Sequence, residues 1–205
     1  MQAKILILAS GSPRRLMLLE PLAKVHGYDI IVDVSNIDEG VAGSVSPTQM
    51  VENLAYRKGQ AVATRYDAGI PIVAADTTVA FQGEIFEKPN DEANARAMLT
   101  ALSGNTHIVY TGVYCRDANG VEHLWHEQAH VTFKHILPLL DWYMQTGESF
   151  DKAGAYGAQG HGGVFIEGID GDINTVIGLP LIKLEMILAE TPQGRSPALA
   201  LQRGR

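Results

Sequence analysis

The feature that most restricts the fold is an interruption near the start of the chain. The apolar run at residues 4–9, KILILA, stops abruptly at Ser10-Gly11-Ser12-Pro13. An unbroken run of this length bounded by turn residues reads as a buried strand. Ser12 is a good N-cap, proline is at home in the first helical position, and Leu16, Leu19 and Ala23 then recur at helical spacing. The segment is therefore strand, tight turn, helix, with Arg14 and Arg15 in the first helical turn.

The same reasoning extends along the chain. Asp29–Val34 reads as a second strand, and a loop carrying Asp38 and Glu39 follows it. Ser46-Pro47 repeats the cap signal before a helix whose apolar face is Met50, Val51, Leu54, Ala55 and Val62. PIVAADTTVAF at 71–81 is rich in β-branched residues and ends at the turn Gln82-Gly83, so it reads as a central strand. Asn90 or Asp91 caps a helix with Ala93, Ala97, Met98 and Leu102 on one side. Asn119-Gly120 marks a hairpin joining strands at 106–115 and 121–134. Leu139–Gln145 reads as helix, 154–163 as a glycine-rich loop, Val164–Ile169 as a strand and Thr175–Glu190 as holding a helix. Strands alternating with helices early and a hairpin late predict an α/β fold around a mixed, mainly parallel-type sheet with flanking helices and a central cleft. Residues 1–190 are expected to form a single domain, and 191–205, with Pro, Gly and scattered charge, a flexible tail.

Charge narrows the function. Against 23 Asp and Glu stand 16 Lys and Arg, and the net charge of -7 opposes a polyanion over most of the surface, so nucleic acid is not the expected partner. A small anion remains compatible where a few cations converge and a divalent metal screens the carboxylates. Cys115 is the only cysteine, which excludes an intramolecular disulfide and fits a reducing compartment. No apolar run approaches the roughly 20 residues of a membrane span, so a cytoplasmic location is expected.

Four groups of residues could carry chemistry. Free N–H groups and the helix dipole at Ser10-Gly11-Ser12-Pro13-Arg14-Arg15 make an anion site, and the same residues also read as a capped helix with two solvated arginines. Asp76 is a carboxylate inside a strand pattern, which is costly unless it is paired, hydrogen-bonded or metal-bound. It could take a proton from water or hold a metal, or pair with a buried base. Lys58, Lys88 in Glu87-Lys88-Pro89, and Asp38-Glu39 offer phosphate-neutralising cations and oxygen ligands for Mg or Mn, or simply solvated charge. In DKAGAYGAQG at 151–160 the glycines permit close backbone approach, and Gln159 has the donor and acceptor that an imide base edge requires. No G-x-S-x-G elbow or H-E-x-x-H pair occurs, which argues against a covalent serine hydrolase and a zincin.

Taken together, LASGSPRR at 8–15, AADTTV at 74–79, EKP at 87–89, DKAGAYGAQG at 151–160 and GLPL at 178–181 resemble, in order and spacing, the Maf family of nucleoside triphosphate pyrophosphatases. The resemblance implies a Maf/ITPase-like fold and hydrolysis between the α- and β-phosphates with a divalent cation and no covalent intermediate. Asp76 matches the catalytic acid, a proton acceptor for water or a metal ligand. Ser10, Arg14, Arg15, Lys58 and Lys88 match phosphate-binding positions, and Glu39 a metal-associated glutamate. Arg14, Thr77 and Gln159 fall where base preference is set, and their identities resemble the branch acting on dTTP and UTP. A nucleoside triphosphate substrate, a homodimer and tolerance of modified pyrimidine nucleotides are further implications. Two competing functions are a non-enzymatic nucleotide-binding regulator of cell division and a house-cleaning pyrophosphatase for purines.

Overall fold

The computed structural model describes residues 4–40 and 45–190, so the expected tail at 191–205 lies outside the described residues. Seven strands hydrogen-bond in the order β2-β1-β3-β5-β6-β7, with β4 on β3. They are β1 (Lys4–Leu8), β2 (Tyr28–Val32), β3 (Ile72–Phe81), β4 (Glu84–Phe86), β5 (Thr106–Arg116), β6 (Glu122–Phe133) and β7 (Ile166–Asp170). β1 runs parallel to β2 and β3, whereas the pairs β3/β4 and β6/β7 are antiparallel, so the sheet is mixed as expected. The helices are α1 (Pro13–Val25), α2 (Pro47–Ala63), α3 (Glu92–Leu102), α4 (Leu140–Gln145), α5 (Ile173–Ile177) and α6 (Ile182–Ala189). Among the described residues no helix is long and apolar enough to cross a membrane.

The chain divides into two compact units. The first lies within Met1–Asp76, Gly112–His126 and Gly178–Arg205, the second is Thr77–Thr111 with Glu127–Ile177, and β3, β5 and β6 contribute to both.

In the first unit the period of two along each strand decides which helix a residue meets. Leu6, Leu8, Val73 and Ala75 pack with Leu19 and Ala23 of α1 and Leu184 and Leu188 of α6. Ile7, Ala9, Ile72 and Ala74 point the other way, to Ala55 and Val62 of α2. Leu6, Ile7 and Leu8 have no exposed surface, because both faces of β1 are covered. Each contributes about 1.5–3 kcal/mol by burial. Cys115 belongs to the first of these cores, where burial, seconded by the charge of Asp117, pushes its thiol up to about 12.

The second unit has its own core of Val79, Leu99, Leu102, Val109, Val131 and Tyr143, with Phe133 stacked edge-on against His107, Tyr156 and Phe165.

Several expected boundaries move. The second strand is Tyr28–Val32 and stops short of Val34, since β1 offers partners only through Leu8. The buried face of α3 is Ala95, Leu99 and Leu102, with Met98 half-buried, while Ala93 and Ala97 are exposed. Alanine favours helix on any face and so does not report which face is inside. Gln82 and Gly83, both with positive φ, close a hairpin onto the unforeseen β4. The last strand begins at Ile166 because 161–165 form a 3-10 turn. The helix expected within Thr175–Glu190 is two, α5 and α6, split at Gly178-Leu179-Pro180 by a glycine at φ 122 and a proline.

Candidate active site

The first unit builds a charged cluster where its strands end. Residues 72, 74 and 76 share the face of β3 that looks toward α2, so Asp76 continues the row of Ile72 and Ala74. α2 starts with a capping box between Ser46 and Gln49 and buries Leu54, Lys58 and Val62 on one stripe. Lys58 Nζ lies 2.6 Å from Asp76 Oδ1 and 3.0 Å from Glu39 Oε1. Lys58 and Asp76 are only 8% and 7% exposed, which makes this a buried ion pair with a third, half-exposed member. The carboxylate in the strand has therefore found its base.

The turn after β1 supplies the second part. Ser10 is buried, and its Oγ accepts from Ser12 N and from Arg15 Nη1, each at 3.2 Å. Arg15 Nε donates to the Gly178 carbonyl at 2.8 Å, which ties the GLPL segment to the turn. Burial lowers the Arg15 pKa, opposed by the charge of Asp76, reinforced by Arg14 and opposed again by Glu39. Arg14, Arg15, Glu39, Lys58 and Asp76 thus share one electrostatic neighbourhood. Ser12 occupies the N-cap position of α1, yet its side chain makes no capping bond. The Ser12 hydroxyl thus does not compete with an anion for the N–H groups of the first turn.

Glu39 and Asp76 converge on one ammonium group and offer hard oxygen donors, and among the described residues no cluster of three or more His, Cys, Asp or Glu could hold a metal by itself. That donor set fits magnesium or manganese, which take one or two carboxylates and complete their shell with substrate phosphate oxygens and water.

Thr77, Lys88 and Gln159 belong to the second unit. Thr111 spends its only hydroxyl proton on the Thr175 carbonyl at 2.7 Å, so across the 2.9 Å contact between the two hydroxyls Thr77 is the donor and Thr111 the acceptor. Lys88 and Gln159 are exposed. The glycine loop packs against β3 at Gly154, where a Cβ would come within 2.9 Å of Val79, and Gly154 N donates to the Glu87 carbonyl at 3.3 Å. The EKP and DKAGAYG segments are thereby neighbours. Tyr156 turns inward, and its hydroxyl lies 2.7 Å from His107 Nε2. Burial lowers the pKa of His107 to about 4, so the ring is neutral at physiological pH. Glu148, whose role the sequence did not disclose, touches the same loop through several bonds.

Residues 5–191 match the model of the family described as Maf-like protein. The chain belongs to the Maf family. Several Maf relatives named dTTP/UTP pyrophosphatase align along most of its length. That of Moorella thermoacetica is 44% identical over 186 residues, covering 90% of this chain and 93% of its own. That of Geobacillus sp. is 47% identical, covering 87% and 93%, and that of Bacillus cytotoxicus 41%, covering 95% and 100%. A solved structure of the Staphylococcus aureus Ham1 protein, at 17% identity, 78% coverage of each chain and a TM-score of 0.48, is too distant to inform the chemistry of this Maf protein.

Proposed function

We propose that this Maf protein is a nucleoside triphosphate pyrophosphatase that hydrolyses dTTP and UTP to the monophosphate and pyrophosphate. The observation that carries the chemistry is the buried Lys58–Asp76 pair with Glu39, beside the Ser10–Arg15 turn. The base preference is supported by the names of the Moorella, Geobacillus and Bacillus relatives.

Lys58 holds Asp76 Oδ1, and the carboxylate takes a proton from the attacking water as its oxygen bonds to the α-phosphorus. The bond from that phosphorus to the bridging oxygen breaks, and pyrophosphate leaves with the electron pair. Arg14, Arg15 and the first-turn N–H groups of α1 neutralise the charge that gathers on the departing group, the usual main source of rate in such reactions; a phosphate-binding role for Lys88 rests on the family resemblance alone. A divalent cation held by Glu39 and Asp76 would add Lewis-acid stabilisation at the phosphate oxygens. Thr77 and Gln159 recognise the pyrimidine. The family resemblance further supports a homodimer, the net charge of -7 speaks against a nucleic-acid partner, and the single cysteine fits a cytoplasmic location.

The test is pyrophosphate release from a panel of triphosphates with magnesium. dTTP and UTP should be turned over and dITP and XTP should not. Asp76→Asn should lose turnover by about 10²-fold or more while still binding dTTP in calorimetry. Near wild-type release by that variant would remove Asp76 from the chemistry, and no release from any triphosphate by the wild type would refute the assignment.

A further inference from the structure

Within the glycine-rich segment, residues 157–160 form a short arch closed by a bond from Gly160 N to the Gly157 carbonyl at 3.3 Å, with Gln159 on its exposed crown. One foot of the arch is Tyr156, sunk in the core against His107. The other foot, His161-Gly162, is tied to one carboxylate. Glu148 lies on the 3-10 turn Glu148–Asp151 that follows α4, with its side chain 12% exposed.

Its Oε2 accepts from His161 N at 2.7 Å and His161 Nδ1 at 3.0 Å. Its Oε1 accepts from Gly162 N at 3.2 Å and from the Tyr143 hydroxyl at 3.3 Å, which also reaches the Ala155 carbonyl. Gly157 and Gly160 of the motif lie where a side chain would crowd this carboxylate. A Cβ at residue 160 would lie 2.2 Å from Oε2, and one at residue 157 would lie 2.7 Å from Lys152 Cε and 3.1 Å from Oε1. Lys152 Nζ donates to the Glu148 carbonyl at 2.8 Å and so braces the same turn. Burial alone would raise the Glu148 carboxyl, but the N–H groups of His161 and Gly162, the His161 ring and Lys152 outweigh it and the pKa is lowered. The group is an anion at neutral pH, and every partner of its two oxygens is a donor.

We propose that Glu148 is a positioning residue for base recognition: its carboxylate sets the arch that presents Gln159 to the pyrimidine. This rests on the pyrimidine triphosphate reading and adds the residue that makes Gln159 effective. Glutamine at 148 would match the shape but aim an NH₂ at two donors, so the isosteric change is not conservative here.

The experiment measures kcat and KM for dTTP and UTP, the inhibition constant of inorganic tripolyphosphate, and the melting temperature, for wild type, Glu148→Gln and Gly160→Ala. The second variant crowds the same carboxylate from the loop side and decides the matter if the first does not fold. The expected result is KM raised roughly ten-fold or more, the effect of a charge-assisted bond lost, with kcat within about two-fold and tripolyphosphate inhibition unchanged, because tripolyphosphate has no base to place. KM at the wild-type value, a loss confined to kcat, or an equal weakening of tripolyphosphate would overturn the positioning role alone. A wild type inactive on every triphosphate would overturn the functional reading and this inference with it.

Discussion

Replacing Lys58 by methionine tests the central cluster most directly. The substitution keeps the length of the stem and removes the ammonium that lies 2.6 Å from Asp76 and 3.0 Å from Glu39. A carboxylate only 7% exposed would then face a second carboxylate without the ammonium that joins them, and with the charge of Arg15 left to offset the pair. Breaking a buried pair from one side costs about 3–5 kcal/mol. The half-exposed Glu39 can turn toward water, which places the expectation near the lower end, about 3 kcal/mol. In a domain of this size that corresponds to a fall in melting temperature of about 6–12 °C. The assay is urea unfolding at neutral pH in chelator for wild type, Lys58→Met, Asp76→Asn and the double variant. Removing both charges should cost less than the sum of the single changes by about 1.5 kcal/mol or more. Millimolar magnesium should then stabilise Lys58→Met more than wild type, since a divalent cation restores what the two carboxylates lack. Additivity within about 0.5 kcal/mol would show that the two groups are not energetically coupled, and an absent magnesium effect would remove Glu39 and Asp76 from the metal site.

Two further predictions concern the scaffold. His107 has a folded pKa of about 4 against 6.5 for an ordinary imidazole. The unfolded chain therefore binds the extra proton between these values, so stability present above 6.5 falls by about 3 kcal/mol as pH drops toward 4. Urea midpoints across that range should show the fall in wild type and a flatter profile in His107→Gln, and equal slopes would refute burial of the neutral ring. At Gly112 an added Cβ would lie 2.4 Å from the backbone carbon and oxygen of Val51, where α2 presses on β5. Gly112→Ala should cost about 1–3 kcal/mol and lower pyrophosphate release by displacing Lys58. A variant with wild-type stability and rate would show that the approach of helix to strand is not needed.

The reach of the sequence differed from residue to residue. Ser46-Pro47 specified the start of α2 down to its cap, because capping chemistry is local. The N-cap position at Ser12 is equally legible, but its side chain makes no capping bond, and the hydroxyl that gathers donors in this turn, Ser10 Oγ accepting from Ser12 N and Arg15 Nη1, is not announced by the cap pattern. The buried face of α3 is not legible in the sequence, because alanines carry too little apolar surface to declare a side. GLPL stands out in the sequence as a motif, while its effect, a break between α5 and α6 that turns the Gly178 carbonyl to Arg15, depends on a partner 163 residues away. Tyr156, in the middle of the glycine-rich motif, is a core residue packed against His107 and Phe133, partners that the sequence around it does not reveal.

By itself the sequence determined the α/β class, the strand–turn–helix with its two arginines and the central strand carrying Asp76, which follow from spacing and composition over short windows; the Maf family is legible separately, as a resemblance of five motifs in order. Tertiary structure alone decided that Lys58, Glu39 and Asp76 meet and that Glu148 holds the arch bearing Gln159. The reason is physical: a charge on a surface helix and the same charge opposite a buried carboxylate look alike in one dimension, and only chain closure brings the partner within hydrogen-bonding distance.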